Sequence, residues 1–226
     1  MKIGVIAEGH SDRYVIRSLL KMLKDIDGSD IISIRPKEDE TDKRSFSNWT
    51  IVLDECKNRE TFKDFFDRVG FIDEERYMVI QIDTAERGEK GYDVHSPSRS
   101  GRIDWQTYSN ELRCDVIKKL QDLIPPAYHN KILYAVCIEE TDAWLIPIWK
   151  KEGVDSAKYV KPKEELQTLV SNLSQKEQNK YVDTQAKHLN YENIAKQLKK
   201  QILKECRQQN KSLDSFCSDV EKMLCP

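Results

Sequence analysis

Residues 2–16 read KIGVIAEGHSDRYVI, and this stretch decides the fold. Its apolar run ends in the carboxylate Glu8 and is typical of a buried strand in a parallel sheet. Ser11 is placed to cap a following helix, with Asp12 in the first turn, where the helix dipole favours a negative charge. Apolar residues then recur at helical spacing up to residue 23. The stretch therefore predicts a strand that leads directly into a helix.

The same alternation continues along the chain. Strand-like runs cover residues 31–35, 77–83 and 131–139, and helical periodicity covers 48–69 and 105–123, where Asp104 is a predicted cap. This order predicts one α/β domain over residues 1–150, with a mainly parallel sheet flanked by helices. Residues 151–226 predict a helical C-terminal extension packed on that domain. Its best predicted element is one helix over 191–207, with an apolar face made by Tyr191, Ile194, Ala195, Leu198, Ile202 and Cys206.

Composition excludes several classes of protein. The 226 residues include 37 Lys and Arg against 39 Asp and Glu, so the chain is not a polycation that coats nucleic acid. We expect no membrane segment, because no apolar run approaches the ~18 residues that a spanning helix needs, and the first apolar run is too short for a signal peptide. The six cysteines form no CxxC pair, which argues against a zinc site and for a reducing, cytoplasmic location.

Carboxylates follow three of the predicted strands. Glu8 ends the first, Asp83 ends the third, and Glu140 and Asp142 follow the fourth. Because the carboxyl ends of parallel strands share one edge, where ligands bind, we expect these acids to lie close together. A cluster of carboxylates repels itself unless a cation is present, and oxygen ligands suit Mg²⁺ or Mn²⁺. Solvated or helix-capping acids are the alternative interpretation, with roughly equal support.

Other polar residues have weaker claims. The polar segment 84–103 contains Glu86, Arg87, Lys90 and Arg99 and is long enough to be functional. Its cations predict either contacts with substrate phosphates or a solvated basic loop. His10 is either a ligand-binding residue or a histidine at a helix entry without a chemical role. Trp144 is expected to anchor the core, and Thr141 to cap a short helix.

Three motifs in order give the chain a resemblance to a known family. The segment VIAEGHSDRYVIRSLL, with Glu8-Gly9 between strand and helix, resembles the opening of a TOPRIM domain, the Rossmann-like fold of topoisomerases, primases and OLD-family nucleases. The segment VIQIDTAE is similar to the second TOPRIM motif, although Ala85 stands where the family has a second Asp. The segment CIEETDAWLIP resembles an ExEAWL-type stretch of small bacterial TOPRIM-like proteins associated with anti-phage defence.

The resemblance implies hydrolysis of phosphodiester bonds in DNA or RNA with Mg²⁺ or Mn²⁺. It implies that Glu8 acts as general base or metal ligand and that Asp83 is the main metal ligand. Gly9, His10, Arg87 and Lys90 are expected to contact substrate, and the remaining predicted metal ligands are Glu86, Glu140 and Asp142. The departure at Ala85 supports an alternative, a non-catalytic regulatory subunit of an ATPase complex. A small-molecule phosphate enzyme is less favoured, because no glycine-rich phosphate loop is present. Formation of a homodimer remains open.

Overall fold

The computed structural model describes residues 1–36, 48–67, 74–151, 153–183 and 188–224. Within these residues, the main sheet has four strands in the order β2-β1-β3-β4, and all three pairings are parallel. This confirms the predicted mixed α/β architecture with a mainly parallel sheet. The strands are β1 (Lys2–Ile6), β2 (Ile31–Arg35), β3 (Arg76–Asp83) and β4 (Ile132–Cys137).

Helices flank this sheet and make up most of the C-terminal region. The first group comprises α1 (His10–Lys24), α2 (Trp49–Lys57), α3 (Arg59–Phe66) and α4 (Trp105–Leu123). The C-terminal group comprises α5 (Asp142–Leu145), α6 (Pro162–Ser171), α7 (Gln175–Tyr181), α8 (Tyr191–Ala195), α9 (Lys200–Gln208) and α10 (Lys211–Met223). An antiparallel pair, β5 (Val182–Asp183) and β6 (His188–Leu189), was not predicted, since two-residue strands carry no periodic signal.

Strands β1, β3 and β4 are mostly apolar and buried, whereas β2 is partly exposed. Successive side chains of a strand point to opposite faces, so Val5 of β1 joins one core and Ile6 the other. The core that contains Val5 also contains residues of α1 and of the C-terminal helices. The core that contains Ile6 is filled from α2, α3 and α4. The C-terminal helices therefore contribute directly to one of the two cores.

Trp144 joins the C-terminal helices to the sheet, as expected for a core anchor. Its side chain is fully buried and its indole ring stacks on Phe216 of α10, with the ring centroids 5.6 Å apart. The indole Nε1–H donates to the Ser212 hydroxyl at 2.7 Å. The only polar atom of a large buried aromatic side chain is thus hydrogen-bonded, as a stable core requires.

Several predicted boundaries are wrong by a few residues. Strand β1 ends at Ile6 instead of Glu8, and β4 ends at Cys137 instead of Glu139. Helix α1 begins at His10 with Gly9 as its N-cap, so Ser11 lies inside the helix and does not cap it. The chain thus turns from strand to helix earlier than the polarity pattern indicates. The prediction for Asp104 is confirmed, since its carboxylate accepts the Gln106 N–H at 3.1 Å.

The predicted single helix over 191–207 is wrong, because the structure divides it into α8 and α9. Leu198 and Leu203 are both buried, yet they are five residues apart. At 3.6 residues per turn, one continuous helix would point them about 140° apart. The break between Ala195 and Lys200 allows both leucines to reach the core. Leu203 thus joins the predicted residues Leu198 and Cys206 in the core, while Ile202 packs against it partly buried.

Five of the six cysteines lie in the described residues. Cys56, Cys137, Cys206 and Cys217 are buried free thiols, Cys114 is an exposed one, and Cys225 lies outside the described residues. Burial raises the pKa of the Cys56 thiol, which keeps it unreactive. Over the described ranges, we find no helix with both the length and the apolarity needed to cross a membrane.

Candidate functional site

The site lies at the carboxyl ends of β1 and β3. In the strand order β2-β1-β3-β4, the connection that follows β1 leads to β2 on one side of the sheet. The connection that follows β3 leads to β4 on the opposite side. Such a reversal opens a crevice beyond the two strands, and ligands of open α/β sheets bind in that crevice. Glu8 and Asp83 both lie there, and Oε1 of Glu8 accepts the backbone N–H of Asp83 at 2.7 Å. The structure therefore brings these two predicted acids into contact.

Gln81 is a buried amide that ties the two strand ends together. Its Oε1 accepts the backbone N–H of Glu8 at 2.9 Å, and its Nε2 donates to Oδ1 of Asp83 at 2.8 Å. The side chain has no exposed surface. Sequence reasoning missed Gln81, although a lone amide within the apolar run VIQID was a usable signal. One residue thus positions both the backbone before Glu8 and the carboxyl group of Asp83.

Thr141 positions Asp83 from the other side. Its backbone N–H and its hydroxyl both lie 3.1 Å from Oδ1 of Asp83 and donate to it. The predicted role of Thr141 as a helix cap is wrong in one respect, since its side chain makes no capping hydrogen bond to α5. The hydroxyl is used for the acid instead. Tyr92 adds a further contact by donating from its hydroxyl to the carbonyl oxygen of Asp83 at 2.9 Å.

Two acids after β4 are held by the C-terminal region. Asp142 is buried, and its Oδ1 accepts the hydroxyl of Tyr191 at 2.7 Å. Glu140 is partly buried, and its Oε2 accepts the backbone N–H of Lys163 at 3.0 Å. Sequence reasoning did not identify either partner. Tyr191 was assigned to the apolar face of a helix, and nothing in its local sequence indicates a bond to an acid 49 residues away.

Asp12 is a further acid of the cluster that the sequence analysis did not count. It lies in the first turn of α1, as expected, but its side chain is buried with only 8% of its surface exposed. Its negative charge raises the pKa of both Glu8 and Asp83. A usable signal was its position one helical turn after Glu8. The acid cluster, as the term is used below, consists of Glu8, Asp12, Asp83, Glu140 and Asp142.

Burial and mutual repulsion shift the titration of this cluster. Desolvation, offset in part by the Asp83 N–H bond, raises the pKa of Glu8 to about 8. Desolvation likewise raises the pKa of Asp142 to about 7 and that of Asp12 to about 6. The pKa of Asp83 lies well above its ordinary value, through burial first and then the charges of Glu8 and Asp12. Negative charge is thus unfavourable here at neutral pH, and a cation would reverse that.

The predicted basic contacts of segment 84–103 are mostly used within the protein. The guanidinium of Arg87 donates to the carbonyl oxygen of Pro97 at 3.1 Å and lies 5.9 Å from the ring centre of Tyr108. Arg99 pairs with the buried Glu139 and donates to the carbonyl oxygen of Ala157 at 3.1 Å. These two arginines therefore hold the loop in place. Lys90 is exposed.

The remaining predicted residues lie around the rim of the site. Glu86 is partly buried, and its charge contributes to the raised pKa of Glu8. Ala85 is exposed. Gly9 is the N-cap of α1 and His10 is its first residue, and His10 lines a cavity next to the acid cluster.

The carboxylates of the site determine how it could hold the divalent cation that the resemblance implies. Within the described ranges, no three His, Cys, Asp or Glu side chains are placed so that they could hold one ion. A cage of three or four carboxylates therefore does not fit. Mg²⁺ commonly keeps several waters and is held by one or two carboxylates with substrate phosphates. Glu8 and Asp83 each use one carboxyl oxygen in hydrogen bonds with described residues, which leaves the second oxygen of each for a cation or one of its waters.

Comparison of the chain with protein-family models, curated proteins and solved structures finds no match.

Proposed function

We propose that this protein is a TOPRIM-like, Mg²⁺- or Mn²⁺-dependent hydrolase of phosphodiester bonds in DNA or RNA. One observation carries the proposal: partly or fully buried carboxyl groups with raised pKa values meet at the crevice between β1 and β3. Burying several acids together costs stability, so a functional site is the better explanation than a structural one. The three motifs that resemble TOPRIM proteins lie at this same edge.

Asp83 would be the main ligand of the metal, while Glu8, Glu140 and Asp142 would contribute through water or through their charge. The bound cation would polarise a phosphoryl oxygen and favour the ionised form of the carboxyl groups. Gln81 and Thr141 support this role, because both donate to Oδ1 of Asp83 and so restrict the orientation of its carboxyl group. This arrangement holds an acid in place before substrate arrives, as an efficient site requires.

Glu8 is the proposed general base. In its ionised form it takes a proton from water as the water oxygen attacks phosphorus. The bond from phosphorus to the leaving oxygen then breaks, and that oxygen receives a proton from solvent. A base with a pKa of about 8 in the metal-free protein lies near the pH at which proton transfer is most effective.

A second function is favoured by one observation, the Ala85 that replaces a second acid at the end of β3. On that hypothesis the chain is a regulatory subunit of an ATPase complex that keeps the fold without the chemistry. Recovery of an ATPase by affinity purification from cells of the natural host, with no cleavage by the isolated complex, would favour it. The proposed setting for either function is bacterial anti-phage defence in the cytoplasm, and the free thiols suit a reducing compartment.

The decisive experiment compares cleavage by the wild type with that by Glu8→Gln and Asp83→Asn. The substrates are single-stranded and duplex DNA and RNA in MgCl₂, MnCl₂ or EDTA. We expect metal-dependent cleavage by the wild type and a loss of about 10²-fold or more in each variant. Glu60→Gln is the matched control, because that acid is exposed on α3 and far along the chain from the site. Undiminished cleavage by both variants would refute the proposal.

A further inference from the structure

A cavity of about 460 Å³ lies beside the acid cluster. Its walls come from the N-terminal turns of α1, from α6, and from β5, β6 and the start of α8. That volume is within the range of pockets that bind small ligands. We name it the side pocket, and its lining residues include His10, Tyr14, Lys163, Gln167, His188 and Tyr191.

The side pocket and the acid cluster share a wall. Tyr191 lines the pocket while its hydroxyl donates to Asp142 at 2.7 Å. Lys163 also lines the pocket while its backbone N–H donates to Glu140 at 3.0 Å. On the α1 side, the lining residue Ser11 lies 3.5 Å from Asp12, hydroxyl to carboxylate. A molecule in the side pocket therefore lies next to any phosphate held at the acids.

The lining suits a flat, polar, uncharged group. Aromatic rings are supplied by Tyr14, His188 and Tyr191, and such rings bind nucleobases by stacking. Side-chain amides, which pair with base edges, are supplied by Gln167 and Asn190. The Oδ1 of Asn190 accepts the backbone N–H of Asn193 at 3.1 Å, which leaves its amide NH₂ as a donor.

Charge separates a base from a phosphate as the occupant. The charged lining residues are Lys163, Asp183 and Glu192, and Oε1 of Glu192 pairs with Nζ of Lys196 at 2.8 Å. Lys163 is the single Lys or Arg among the described lining residues, so the pocket has no cluster of cations to hold a phosphate, whereas a neutral base needs none. The phosphate is better placed at the acid cluster, where the proposed cation would offset its charge.

We propose that the side pocket binds one unpaired nucleobase next to the scissile phosphate, so that the substrate is single-stranded nucleic acid. This inference rests on the proposed hydrolase function and adds its substrate class. A base within a duplex is stacked and paired, and it would have to leave the helix to enter the pocket. Single strands therefore bind without that cost.

The test measures binding separately from cleavage. A fluorescein-labelled 12-nucleotide single strand, as DNA and as RNA, and the blunt duplex of the same sequence are titrated by fluorescence anisotropy. Wild-type protein is used in EDTA and Glu8→Gln in MgCl₂. We expect the single strand to bind at least about tenfold more tightly than the duplex. Removal of one base-stacking ring weakens binding by about fivefold or more. We expect this loss of affinity for single strands in Tyr14→Ala and in His188→Ala.

Tyr159→Ala is the matched control, since Tyr159 is a partly exposed tyrosine that does not line the side pocket. His188 is exposed, so its removal leaves folding intact, and thermal melting checks this for every variant. Equal binding of single strand and duplex, wild-type affinity in both pocket variants, or no binding of single strands in either buffer would each overturn the inference. The proposed hydrolase function is tested separately, by comparing cleavage by the wild type with cleavage by Glu8→Gln and Asp83→Asn.

Discussion

The hydroxyl of Tyr191, at the start of α8, donates a hydrogen bond to Oδ1 of Asp142, the first residue of α5, at 2.7 Å. The two residues are 49 positions apart, so this bond joins the C-terminal region to the acid cluster. Burial raises the pKa of Asp142 to about 7, and the bond from Tyr191 acts in the opposite direction by stabilising the ionised form. The C-terminal region thus tunes the charge of the site.

Removing that hydroxyl should raise the pKa of Asp142 further. In Tyr191→Phe the carboxylate loses a donor while the ring still fills its place, so we expect the pKa to move above about 7. The measurement is a carbon-13 NMR titration of the Asp142 side chain. Tyr128→Phe is the control, because the hydroxyl of Tyr128 donates to Asp67, an acid outside the cluster. An unchanged or lowered pKa of Asp142 in Tyr191→Phe would contradict the assigned role.

The raised pKa values also predict how stability depends on pH. The pKa values of Glu8 and Asp142 are about 8 and about 7 in the folded protein, above those of the free side chains. Between about pH 4 and about pH 8, the folded state therefore binds more protons than the unfolded state. The stabilisation is fully present below about pH 4 and is lost as the pH rises through 7 and 8.

In EDTA we therefore expect the melting temperature to fall by about 5 °C or more between pH 5 and pH 8. Glu8→Gln and Asp142→Asn should weaken this dependence and melt higher than the wild type at pH 8, because a neutral side chain avoids the cost of a buried charge. Differential scanning calorimetry measures both effects, and Glu60→Gln serves as the control at an exposed acid. A melting temperature that rises with pH over this range would disprove the titration scheme.

The general architecture and part of the site could be predicted from the sequence, and the reasons are physical. Apolar runs such as residues 77–83 specify buried strands, and parallel strands necessarily bring their ends to one edge. Contact between Glu8 and Asp83 follows from that rule. The contributions of Gln81 and Tyr191 do not follow, because they depend on which side chains of distant segments meet. Charge pattern alone also could not show that Arg99 is used to hold Glu139 and Ala157.

Gln81 should stabilise the fold as well as the site. In Gln81→Leu the backbone N–H of Glu8 and the carboxyl group of Asp83 each lose a partner within a buried region. A buried polar group without a partner costs about 1–3 kcal/mol, so we expect the free energy of unfolding to fall by about that amount. Urea denaturation at pH 7 measures it. The control is Gln106→Leu at an exposed position of α4, and equal stability of the two variants would contradict the bridging role.

Binding of Mg²⁺ should release protons from the acid cluster. A cation favours the ionised form of Glu8, whose pKa is about 8 in the metal-free protein, so at pH 7 this group is mostly protonated before binding. Isothermal titration calorimetry in two buffers of different ionisation enthalpy should show release of up to about one proton per ion from this group. In Glu8→Gln the release should fall and affinity should weaken by about tenfold or more, while Glu60→Gln behaves as the wild type. Binding without proton release would place the ion away from Glu8, because the cluster cannot accept a cation at neutral pH without losing protons.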